Sequence, residues 1–183
     1  MISSKNILSI GPEYQKPKGG IAQVLYSYSK YVFKDFKHIK SSGGKHVFSK
    51  LFYFCKGIIG LILTLLFDKS IKTVHIHTAS NNDFKRNSFY AKIAKRFKKK
   101  VILHIHGGGF KDYYSKNKHF VKQQLDKADA IVALSEYWRG YFAEELKCKN
   151  VFVVHNIIPT PNYQPNKEKD IFTRRKVFLI WLV

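Results

Sequence analysis

Five short apolar runs punctuate the chain, at residues 6–11 (NILSIG), 73–78 (TVHIHT), 101–106 (VILHIH), 130–135 (AIVALS) and 151–156 (VFVVHN). Each is rich in Ile and Val and has the length of a strand. Between them, residues 21–33, 48–67, 85–97, 116–127 and 136–146 carry helix-like spacing. Runs this apolar belong to strands covered on both faces, and their alternation with helices makes βαβ units. The pattern predicts an α/β fold, a doubly wound parallel sheet. Beyond residue 159 it changes. Residues 160–176 (TPNYQPNKEKDIFTRRK) are polar and contain proline, which reads as a linker, and VFLIWLV at 177–183 opens another strand-like run. The expected organisation is one domain over 1–159, a linker over 160–176 and the start of a second domain at 177–183.

In such a sheet ligands bind beyond the carboxyl ends of the strands, so the residues that follow each run carry the chemistry. After the first run, a loop leads to Gly19 and Gly20 at the start of a helix, where bare backbone can approach a phosphate. A full G-x-G-x-x-G fingerprint is absent. His75 and His77 share one face of their strand, as do His104 and His106, because side chains alternate. The second of each pair lies nearer the carboxyl end. His77 and His106 are therefore expected at a site, and His75 and His104 in the core. Three glycines, Gly107, Gly108 and Gly109, follow at once.

A His-x-His pair at a strand end also begins the metal site of many hydrolases, so a metal-dependent hydrolase is an alternative reading. It needs a carboxylate. Asp129 precedes its apolar run and so falls at the opposite end of the sheet from His106, which leaves Asp83 and Asp112. No metal and no cofactor is expected on this evidence.

Charge narrows the partners. Lys and Arg number 33 against 12 Asp and Glu, a net charge of +21, which favours phosphate-bearing partners: nucleic acid, anionic lipid or a phosphorylated small molecule. The basic residues concentrate at 92–100 (KIAKRFKKK) and, more thinly, at Lys30, Lys34, Lys37 and Lys40. No nucleic-acid-binding pattern accompanies them, so a basic binding module for membranes or nucleic acid is the third reading. Cys55 and Cys148 have neither metal-ligand nor redox spacing, which fits a reducing, cytoplasmic compartment. The first residues show no secretory signal pattern. Residues 51–67 form an apolar run of 17 with Lys56 inside it. That is shorter than the roughly 20 residues of a spanning helix, and predicts a helix packed inward or lying on a membrane surface.

Taken in order, KGGIAQVL after the first strand, HIHGGGF, ADAIVALSEYWRGYF and VFVVHNIIP resemble the N-terminal half of a family 4 glycosyltransferase of the two-domain GT-B type. The resemblance runs over residues 6–159 and implies a Rossmann-like acceptor-side domain. It implies a cytoplasmic, retaining enzyme, peripheral on the inner face of the membrane, acting in surface polysaccharide synthesis. Its partners would be a nucleotide-sugar donor, a glycan or lipid-linked acceptor and an anionic membrane surface, with no nucleic acid. His106 matches the strand-end histidine that contacts the donor sugar and is the expected catalytic residue. Gly19 and Gly20 match the glycine loop near the donor phosphate, and His77, Gly107, Gly108 and Asn156 complete the expected substrate-binding set. The glycines after His106 are expected to let the backbone turn sharply beneath the sugar. The donor half, with its Glu-x7-Glu motif, has no counterpart before residue 183. Glu136 and Glu144 have that spacing, but lie in the segment that matches the N-terminal domain and read as helix surface charges. The expectation is a truncated or split enzyme, inactive alone.

Overall fold

The computed structural model describes residues 1–44 and 46–157. Two short strands, β1 (Ile2–Ser3) and β3 (Phe33–Lys34), pair with each other in parallel. The main sheet contains β2 (Ile7–Gly11), β4 (Lys37–Lys40), β5 (Thr73–Thr78), β6 (Lys100–Ile105), β7 (Ala130–Ala133) and β8 (Val151–Val153). Its order is β4-β2-β5-β6-β7-β8, with every neighbouring pair parallel. The chain builds outward from β2 in one direction to β4 and then in the other through β5 to β8. The crossovers leave a switch point between β2 and β5, the place where an open α/β sheet takes a ligand. The doubly wound α/β class is thus present, with one main-sheet strand more than the five apolar runs. β4 reads KHIK, too short and too charged for an apolar-run criterion.

Helices fill the crossovers. α1 (Gly20–Ser27) follows β2 and continues as a π-helical turn over Tyr28–Val32. α2 (Val47–Phe67) joins β4 to β5, and α3 (Asn81–Arg96) joins β5 to β6. The helix expected at 116–127 is α5 (Lys118–Lys127), and a further helix, α4 (Phe110–Lys116), precedes it; between them the side-chain amide of Asn117 donates to Tyr113 O at 3.0 Å. α6 (Glu136–Gly140), capped by the Ser135 hydroxyl accepting from Trp138 N, precedes β8. The linker at 160–176 and the run at 177–183 lie outside the described residues.

The two faces of the sheet differ. One presents Leu8, Ile10, Val74, Ile76, Val101, Leu103, Ile105 and Ile131 to Leu61, Leu65, Phe84, Tyr90, Val121 and Leu125 of the helices. That is the main core, and burial of each such side chain stabilises by about 1.5–3 kcal/mol. The other face is polar near its middle. Register places Ser9 beside both His38 and His75, and His77 beside His104, so all five project to one side. Over them lies α1, with Val24 and Tyr28 in a smaller cluster with Ile7 and Phe33, against which Val154 and Ile157 pack.

Candidate functional site

The site is built where β2, β5 and β6 end. Gly11 closes β2, and a Cβ placed there would lie 2.7 Å from Leu25 Cδ1 and 3.5 Å from His77 Cβ, so α1 passes close over this end of the sheet. The Tyr28 ring lies 5.7 Å from His77 and 6.4 Å from His104, centroid to centroid. Gly20 begins the helix eight residues earlier, about 12 Å back along the axis. α1 follows a loop leaving the carboxyl end of β2, so Gly19 and Gly20 stand at the same end and on the same face as His106. Gly19 has φ 99 and ψ 165, a conformation essentially confined to glycine. No side chain caps α1, no acid lies in its first turn, and a Cβ on Gly20 would meet nothing within 4 Å. The first turn therefore directs backbone N–H groups and the positive end of the helix dipole into open space.

His106 is half-buried at the edge of that space, its backbone N–H donating to Thr78 O at 2.8 Å. Its Nε2 is 3.0 Å from His77 Nδ1. His77 has 0 % exposure and therefore reaches the crevice only through His106, not at the surface where a substrate-binding residue was expected. Burial drives both imidazoles to the neutral form, His106 down to about 3 and His77 well below its ordinary value. Two neutral rings sharing one hydrogen bond need one donor. His77 Nε2 is buried without a partner among the described residues. An orphaned acceptor costs less than an orphaned N–H, so the proton sits on His77 Nδ1 and is donated to His106 Nε2. His106 then carries its own proton on Nδ1, as a neutral hydrogen-bond donor.

The three glycines after His106 do lie at the expected turn, Phe110 N donating to Gly107 O at 3.3 Å. None has a left-handed φ. Gly107 is small because the chain runs against the loop after β5, where a Cβ would lie 3.3 Å from Ser80 N. A Cβ on Gly108 would meet nothing within 4 Å. Asn156 is exposed, in a stretch where Val154 and Ile157 on either side pack against the α1 cluster. Glu136 and Glu144 are exposed on the helical segment between β7 and β8, and Glu136 is ion-paired with Arg139.

Two residues border the site without having been singled out. Tyr28 roofs the imidazoles, its hydroxyl buried and unpaired among the described residues. His38 on β4 approaches Pro12 O at 3.0 Å and stacks edge-on with Tyr14 at 5.0 Å, tethering the crevice loop, and burial lowers it to about 4. The signal for His38 was the same apolar–polar alternation as in residues 75–77, masked by the flanking lysines of KHIK.

A metal among the described residues would be held by His75, His77 and His104, whose ligand atoms lie within 4.8 Å of one another. Tetrahedral zinc sets nitrogens about 3.3 Å apart and, in a catalytic centre, keeps one position open. These rings are sealed beneath Tyr28, and two of the three carboxylates weighed from sequence, Asp83 and Asp129, are engaged by other partners. Asp83 accepts from Ala79 N and Thr78 Oγ1, Asp129 binds Lys95 and Val101 N at the amino end of β6, and Asp112 lies in the first turn of α4. The geometry thus disfavours the hydrolase reading on access and ligands. A cavity of about 830 Å³ also opens at the amino ends of β6 to β8, lined by Lys100, Lys122, Asp126, Asp129, Lys147 and Lys149 among others. It lies at the wrong end of a parallel sheet for the ligand rule.

Comparison with known proteins adds one match and one absence. The model of a family described as Glycosyltransferase Family 4 matches residues 38–161, about two thirds of the chain. No curated protein matches.

Proposed function

Since this chain belongs to glycosyltransferase family 4, we propose that it supplies the acceptor-side wall of a cleft in which a nucleotide-sugar gives up its sugar. The acceptor in this reading is a glycan or a lipid-linked glycan of surface polysaccharide synthesis, the transfer retains anomeric configuration, and the chain works in the cytoplasm. The observation that carries the reading is the His77–His106 pair at the carboxyl ends of β5 and β6, the same end of the sheet as the uncapped glycine start of α1.

In this reading the sugar–phosphate bond breaks, the diphosphate leaves with the electron pair, and an acceptor hydroxyl joins the anomeric carbon as its proton passes to the departing diphosphate. The transition state carries positive charge on the sugar ring and negative charge on the departing phosphate. A neutral His106 fits such a cleft better than an imidazolium, because it donates a hydrogen bond to a sugar hydroxyl without adding charge beside an electron-poor ring. The first-turn N–H groups of α1 face the phosphate. Gly108 leaves room for the sugar, Gly107 and Asn156 shape the wall around it, and His77 acts only through its hydrogen bond to His106. The diphosphate needs firmer cationic partners than one helix dipole, and these belong to a donor-binding half.

Titration of the isotopically labelled chain with UDP- and GDP-sugars, followed by NMR, tests this. Shifts are expected at the Gly19, Gly20 and His106 amides. No shifts, or shifts confined to other regions, would overturn the proposal.

A further inference from the structure

The face of the sheet beneath α1 holds more polar atoms than it can pair. His75 Nε2, His77 Nε2 and both nitrogens of His104 find no hydrogen bond among the described residues, and neither does the Tyr28 hydroxyl above them. All four side chains are buried. A polar group left unpaired in an interior is costly, so three such imidazoles in one layer call for a common partner.

Register explains why they meet. β5 and β6 pair in parallel with His77 beside His104, and His75 lies two residues back on the same face. Ring centroids are 4.3 Å apart for His75 and His77, 4.9 Å for His77 and His104, and 5.4 Å for His75 and His104. One ligand nitrogen from each ring lies within 4.8 Å of the other two. A tetrahedral ion sets its ligands about 3.3 Å apart. Small rotations about Cβ–Cγ close such a gap, and that torsion is broad for histidine.

What disqualifies the cluster as a catalytic centre suits it to a structural one. Structural ions occupy closed sites with no position left for substrate. Tyr28 closes this one, its ring 6.3, 5.7 and 6.4 Å from those of His75, His77 and His104, and its unpaired hydroxyl is available for the fourth position. Imidazoles without a carboxylate suit Zn²⁺ and its transition-metal neighbours, whereas Mg²⁺ and Ca²⁺ take oxygen. The hydrogen bond at the crevice fits the same assignment. A metal-bound histidine donates its other ring N–H to a group that fixes its orientation. His77, with Nε2 unused, already gives Nδ1–H to His106 Nε2 at 3.0 Å.

We propose that His75, His77 and His104 hold a structural Zn²⁺ ion beneath Tyr28, one ring behind the crevice. The ion ties β5 to β6 and, through Tyr28, to α1. By occupying His77 Nε2 it also keeps the proton on Nδ1, which makes His77 a positioning residue for His106. Because the site is sealed, the ion enters as the chain folds.

The test uses the full chain and zinc, with no sugar present. The chain is unfolded under chelator, refolded with or without Zn²⁺, and desalted. The expected result is about one Zn²⁺ retained per chain, a higher denaturant midpoint, and the visible bands of a four-coordinate ion when Co²⁺ replaces Zn²⁺. Imidazole nitrogen NMR should show the His77 Nε2 resonance moved by zinc while Nδ1 stays protonated. In His75→Leu the retained ion and the zinc-dependent gain should both vanish, and the variant without zinc should be at least as stable as the parent, having lost an unpaired nitrogen. The parent's own zinc content decides the matter even if that variant does not fold. Refolding with no zinc retained, zinc held equally by His75→Leu through the exposed His46, His119 and His155, or a midpoint that zinc does not move would each overturn the proposal. The nucleotide-sugar titration needs no zinc and this test no sugar, so either reading can fail alone.

Discussion

A single buried ring decides what the imidazole at the crevice offers a substrate. His77 was legible as a neighbour of His106, since alternate positions on adjacent strands put both on one face. Its depth was not, because depth depends on Tyr28, which reaches the sheet from a π-helical turn that periodicity does not announce. The glycines show the same division. A doublet before a helix was visible at Gly19 and Gly20, but only the backbone angles separate their roles. Gly19→Ala forces a side chain into a glycine-only conformation and is expected to destabilise by about 1–3 kcal/mol. Gly20→Ala, with open space around the new methyl, is expected to leave stability unchanged or raise it by about 0.4–1 kcal/mol while obstructing the crevice. Denaturant unfolding of both variants checks the contrast, and equal losses would contradict it.

α2 carries two surfaces that sequence alone presented as one apolar run. Composition located the helix to within a residue of its start, yet it did not show which side turned inward. The inner stripe is set by a close approach at Gly57, beside Tyr90 Oη and Lys40 O. Gly57→Ala should therefore cost about 1–3 kcal/mol by overpacking, despite the better helix propensity of alanine. Leu63→Ser on the outer stripe should change the melting midpoint little. Thermal melts of the two variants in buffer decide it: a neutral Gly57→Ala would mean that α2 is loosely docked. β4 and the β1–β3 pair escaped notice for the opposite reason. They are short and flanked by lysine, so their strand character comes from the neighbours they pair with.

Acid should unfold the whole domain readily, because a layer of imidazoles is buried beneath one helix. His38 and His75 are lowered to about 4 and His106 to about 3, while His77 and His104 lie well below their usual range, with loss of solvation the first cause in every case. Each depressed group binds its proton more weakly in the folded chain than in the unfolded one. Stability is therefore complete above about pH 6.5 and falls as pH drops toward 4, by up to about 1.4 kcal/mol per group and pH unit. Unfolding free energies from denaturant titration at pH 7 and 5.5 should differ by about several kcal/mol in sum, and a flat profile would show that the imidazoles are hydrated. The sheet class was legible from strand-like runs alternating with helices. The strand order was not, since no local pattern encodes which strand lies beside which.

That order has a consequence for synthesis. Leu8 of β2 pairs with Val74 of β5, 66 positions later by subtraction of the two numbers. At about 5–20 residues per second, the ribosome takes several seconds to deliver that partner. α2 is completed only seven positions before Val74, Phe67 against 74, so its inner side stays bare until β5 follows it. The seam between β2 and β5 therefore forms seconds after β2 itself, and β6, β7 and β8 can be laid down only once it is in place.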